Sequence, residues 1–158
     1  MRLLPPGTRR VRTRGVGPLG GIAVVAATAV ACAAPPENHT PLQVRDAWVR
    51  AADSGATGAA YLTLANGDTV DIAITGWSSS AAVAAELHET MQHQGMVHMS
   101  ARPAIVIARD STLTMIPGGL HVMLIELRRA LVVGDTVSLI ATFADGRTLD
   151  VRAPVRAP

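Results

Sequence analysis

The chain has 158 residues, enough for one domain and a short appendage. Its formal charge of +2 would direct attention to nucleic acid, but there is no lysine and five arginines (Arg2, Arg9, Arg10, Arg12, Arg14) crowd residues 2–14. From Cys32 onward nine arginines stand against all twelve acidic residues, a net acidic balance that leaves no basic patch to neutralise phosphates and excludes nucleic acid as a partner.

The arginine-rich start runs into an apolar, Ala/Val-rich stretch over residues 15–34. A basic head, an apolar middle and small residues at the end make a secretory signal. Gly17, Pro18, Gly20 and Gly21 weaken the stretch as a spanning helix, and Ala29-Val30-Ala31 supplies an A-x-A cleavage site. Residues 1–31 are therefore read as a signal peptide, and the mature chain as exported to the periplasm or the extracytoplasmic face. Cys32 is the only cysteine, so no intramolecular disulfide can form. Its place resembles a lipobox, with Ala29 where Leu is usual, and makes Cys32 a candidate for lipidation; cleavage by the general signal peptidase is the alternative. Residues 32–41 then form a polar, Pro-containing tether, and membrane contact runs through the signal or the lipid alone.

Residues 42–158 read as one domain of short β-branched runs broken by turn residues. Leu42 to Arg45 leads into Ala47 to Arg50, and Asp53-Ser54-Gly55 breaks the run. Ala60 to Ala65 and Thr69 to Thr75 flank Asn66-Gly67, which predicts a β-hairpin. Further runs are Val83 to Leu87, Ile105 to Ala108, Leu113 to Ile116, Leu120 to Leu127 and Thr136 to Phe143, after which Asp145-Gly146 turns into Leu149 to Val155. The pattern predicts an all-β fold, a single antiparallel β-sandwich. Trp48 is expected as a core anchor and Met115 as a core residue.

Four of the five histidines (His88, His93, His98, His121) and five of the six methionines (Met91, Met96, Met99, Met115, Met123) fall between residues 88 and 123. On a strand, side chains two apart share a face, so His121 and Met123 project together. A hairpin closing around Gln92 to Gly95 would set His88 opposite Met99, Met91 opposite Met96 and Glu89 opposite His98. The two His/Met pairs, His88/Met99 and His121/Met123, can then meet at one ion. Thioether sulfur is soft and neutral and selects Cu(I). Zinc prefers thiolate, imidazole and carboxylate. A blue-copper electron carrier would need a cysteine ligand, and the domain has none. Met91, His93, Met96 and His98 are read either as a second metal site or as a solvated hairpin tip.

The spacing His88, ten residues, Met99, twenty-one residues, His121, Val122, Met123 resembles the H-x10-M-x21-H-x-M signature of the periplasmic copper chaperones called PCuAC. The flanking segments Asp46 to Arg50, Thr57 to Tyr61, Glu86 to Thr90 and Pro117 to His121 are similar to that family too. The resemblance covers roughly residues 42 to 155, with Leu120 standing where an aromatic is common. It implies a cupredoxin-like Greek-key sandwich and a Cu(I) metallochaperone. It also implies an acceptor such as subunit II of a cytochrome c oxidase, whose binuclear copper site this family helps assemble, or a thioredoxin-fold copper carrier. Two other readings compete: a non-metal sandwich interaction module, and a copper-buffering lipoprotein with no dedicated client. An enzyme is not expected, because Ser78-Ser79-Ser80 has no base partner at useful spacing.

Overall fold

A computed structural model describes residues 42–93 and 95–157; residues 1–41, where the signal peptide and the tether with Cys32 and His39 are expected, lie outside the described residues, as do Gln94 and Pro158. The described chain is all β. Its strands are β1 (Gln43–Arg50), β2 (Gly58–Asn66), β3 (Ile72–Ser78), β4 (Ala82–His93) and β5 (Met96–Ala101). β6 (Ile105–Ile107), β7 (Ser111–Met115), β8 (Leu120–Leu127), β9 (Thr136–Phe143) and β10 (Thr148–Arg156) follow.

The strands pair in the order β5-β4-β8-β2-β1-β10-β9-β3-β6, and β4 also pairs with β3. That last pairing closes the path from β4 round to β3 into a seven-strand, barrel-like sheet, with β5, β6 and β7 added at its margins. Closure removes most free edges, which otherwise invite pairing with other chains. The expected cupredoxin-like all-β class holds. One pairing departs from the antiparallel pattern: β1 and β10 run parallel, with Val49 beside Val155.

Alternation decides which side chains fill the centre. Leu62 and Leu64 on β2, Val122 and Leu124 on β8, and Leu139 on β9 are essentially sealed from solvent. Met115 joins them at 1% exposed, opposite Leu62 in the β2–β7 pair, as a core residue should be. Each such side chain contributes about 1.5–3 kcal/mol on burial. Aliphatic residues therefore carry a core to which Phe143 and Trp77 are the aromatic contributors.

The Asn66-Gly67 turn is not a hairpin. β2 and β3 do not pair with each other; β2 runs beside β1, β7 and β8, and β3 beside β4, β6 and β9. Asn66 is 2% exposed, and its Nδ2 donates to the carbonyls of Val70, Ile107 and Ala108 at 2.9, 3.0 and 3.2 Å. Its Oδ1 accepts the Asp68 N–H at 3.0 Å. The side chain thus holds a corner where the chain leaves one set of strands for another. The Asp145-Gly146 turn does close a hairpin, β9 against β10. There the Arg147 N–H, and then its guanidinium, bond the Asp145 carboxylate and hold its pKa below the usual carboxylate value.

Candidate metal centre

His88 on β4 and His121 on β8 are direct cross-strand partners, and their ring centroids lie 6.2 Å apart. One step along the same face, Glu86 pairs with Met123. The intervening Leu87 and Val122 point the other way and are buried in the core. Alternation on two neighbouring strands therefore brings His88, His121 and Met123 together on the face of the sheet turned away from Leu87 and Val122.

Met99 comes from β5, and here the structure corrects the expected register. Met99 pairs with Thr90, and His88 pairs with Ala101. Pairing continues as far as His93 with Met96, so the connection is two residues, with Gly95 at φ +80°. Two-residue turns with a glycine suit the strand twist better than the longer turn expected from sequence. The shift is two residues, which preserves the facing of every side chain; a shift of one would have reversed it. Met99 stays on the His88 face, as a diagonal neighbour about 7–8 Å away by strand geometry and within reach of a long side chain.

The histidines are held by different ring nitrogens. His121 is 6% exposed, and its Nδ1 donates to the Gly119 carbonyl at 3.0 Å. Nε2 is left as the lone-pair nitrogen. The same carbonyl accepts the Thr90 N–H at 3.1 Å, which ties β4 to the turn before β8. Gly118 makes that turn at φ +78°, a conformation that suits glycine. In His88, Nε2 lies 3.0 Å from the Glu86 carboxylate, while Nδ1 is buried without a hydrogen-bond partner. A buried unpaired nitrogen is costly, and a metal ion is one partner that satisfies it.

Met99, His121 and Met123 line a surface cavity of about 320 Å³ whose other walls include Tyr61, Thr90 and Arg50. Tyr61 lies 6.3 Å from His121 and 4.6 Å from Trp48, ring centroid to centroid. Trp48 is half-buried in this row, under the Arg156 guanidinium, and is not the core anchor its sequence context predicts. Ser79 is structural, its hydroxyl donating to the Ser138 carbonyl at 2.7 Å.

Glu86 joins this face as a residue absent from the spaced His/Met signature, and its signal in the sequence is local: a carboxylate two residues from a histidine on one strand shares its face. Carboxylates that orient metal-binding histidines typically tune affinity by about 10–100-fold. Glu86→Ala should lower metal affinity measurably, while the melting temperature barely moves because Glu86 is exposed. Unchanged affinity in a chelator competition would remove Glu86 from the site. In the second group, Met91 pairs with His98 and His93 with Met96, not Met91 with Met96 or Glu89 with His98.

Residues 42–155 match the family model described as "Putative lipoprotein LpqE-like". A curated relative from Leifsonia xyli subsp. xyli, "Putative lipoprotein Lxx21020", is 38% identical over 123 residues, which are 77% of this chain and 74% of the relative. The solution structure of CuI-DR1885 from Deinococcus radiodurans is 34% identical at a TM-score of 0.58, covering 75% of this chain and 80% of that one. The copper-bound PCuAC domain from PmoF2 superposes with a TM-score of 0.62 over 76% of this chain and 96% of its own. At 22% identity it speaks for the fold alone. The matched span runs from the first described residue into β10 and contains all four residues of the spaced His/Met signature, and on that evidence the chain belongs to the LpqE-like, PCuAC-type family.

Proposed function

We propose that this chain is an exported Cu(I) carrier that holds one ion between His88 Nδ1, His121 Nε2 and the thioethers of Met99 and Met123, and passes it to an acceptor protein. The observation that carries the reading is the His88–His121 cross-strand pair, with one ring nitrogen buried and unpartnered beside a thioether-bearing face. Two soft and two borderline donors, all neutral, suit a monovalent soft ion and give zinc no thiolate or carboxylate of the kind it favours. The Cu(I) named in the DR1885 structure, 34% identical to this chain, supports the same ion here.

The site is built to hold and to release. His121 is sealed in, whereas Met99 is 51% exposed on the marginal strand β5. An acceptor can therefore displace Met99 first, while the histidines keep the ion until the transfer is complete. Suitable acceptors are an oxidase copper-site subunit or a thioredoxin-fold copper carrier, both reached outside the cytoplasm. Lipidation at Cys32 would keep the carrier at the membrane where such an oxidase sits. The role is a carrier's and requires no turnover.

An anaerobic titration of the mature protein tests this. Cu(I), followed by competition with a colorimetric Cu(I) chelator, should fill one tight site, and an excess of Zn(II) should not displace it. Preferential zinc uptake, or no tight copper, would overturn the proposal.

A further inference from the structure

We propose that the β4–β5 hairpin carries a second soft-metal site, formed by Met91, Met96 and His98 on the face opposite His88 and Met99. Leu87 and Met91 share one face of β4, and Leu87 is buried in the core. β8 begins at Leu120, the partner of Glu89, so the hairpin runs on beyond the sheet that covers its root. Its core-facing side becomes a solvent-facing side, and there Met91 pairs directly with His98. Met96 lies two residues before His98 on β5 and shares that face.

Packing does not account for these methionines. Met91 is 44% exposed and Met96 57% exposed, at positions where a charged or polar side chain would serve solubility better. Among the described residues the His98 ring has no hydrogen-bond or ion-pair partner, so both of its nitrogens are available. At the root of the same face the Arg102 guanidinium pairs with the Glu89 carboxylate and neutralises it. Two thioethers and an imidazole on an otherwise neutral face select Cu(I) over hard cations. No cluster of three His, Cys, Asp or Glu exists among the described residues to serve a harder ion.

Three exposed donors bind more weakly and exchange faster than a partly buried set of four. His98 and Met99 are consecutive residues whose side chains leave opposite faces of β5. The second site is thus one residue from a ligand of the first, and it serves as a way-station where copper enters or leaves. That role rests on the carrier reading above, whereas the existence of the site does not.

The test follows methionine methyl resonances of the full mature chain, assigned with single Met→Leu variants, during stepwise addition of Ag(I) as a diamagnetic stand-in for Cu(I). The first equivalent should shift Met99 and Met123, and the second should shift Met91 and Met96. In the variant Met91→Leu/Met96→Leu/His98→Gln the second equivalent should be lost and the first retained. A first equivalent that leaves Met99 and Met123 unmoved would defeat the carrier reading. A second equivalent that leaves Met91 and Met96 unmoved, or that survives in the triple variant, would defeat the second site alone.

Discussion

Met99→Leu and Met123→Leu should each weaken Cu(I) binding by at least about tenfold, the loss that even changes outside a metal's ligand shell commonly bring. Both substitutions keep volume and apolarity, so each should cost less than about 1.5 kcal/mol of stability. The cost should be smallest at Met99, which is 51% exposed and packs little. Met115→Leu is the matched control: Met115 is 1% exposed in the core and pairs with Leu62, away from the ligand face. It should spend its whole effect on stability and leave copper affinity where it was. Thermal melts of the apo protein and a Cu(I)-chelator competition on the three variants separate the outcomes. Copper loss in Met115→Leu equal to that in Met99→Leu would show that the ligand assignment is wrong.

Asn66→Ala should destabilise the domain by about 2–4 kcal/mol, because it strips donors from carbonyls in a buried corner and each orphaned group costs about 1–3 kcal/mol. The side chain donates to Val70, Ile107 and Ala108 and accepts from Asp68, so no neighbour can substitute for it. Copper affinity of the folded fraction should be unchanged. Urea unfolding at constant slope measures the effect. A shift below about 0.5 kcal/mol, the range of ordinary surface changes, would mean that Asn66 is merely a turn residue.

That residue also shows where the sequence stopped being readable. Asn-Gly between two apolar runs is a strong local signal for a hairpin, and locally the turn is there. What redirects the chain is a set of bonds to carbonyls about forty residues away, and no local pattern encodes such a partner. By contrast β8 and β9 occupy Leu120–Leu127 and Thr136–Phe143, the runs that their apolar, β-branched composition and flanking turn residues mark in the sequence. The ligand face was legible too. His121 and Met123 share a side by periodicity alone, and a two-residue error in the β4–β5 register left the facing of Met99 intact. The closest pairing of the site, His88 with His121, could not be read, since it depends on β4 lying beside β8 across thirty-odd residues of chain. Sequence context misplaces Trp48 because a tryptophan on a strand looks the same whether its face is core or surface; only Val49 at 0% exposed settles which side is inward.

On the proposed carrier function, the imidazoles of His88 and His121 and the thioethers of Met99 and Met123 meet at a single copper ion. X-ray absorption at the copper edge, on mature protein loaded with one equivalent of Cu(I) under reductant, tests it most directly. The loaded protein should show a Cu(I) edge, a first shell containing two sulfur scatterers, and the multiple-scattering pattern of imidazole, with the sulfur amplitude halved in Met123→Leu. A first shell of nitrogen and oxygen alone, or a sulfur amplitude that Met123→Leu leaves untouched, would contradict it.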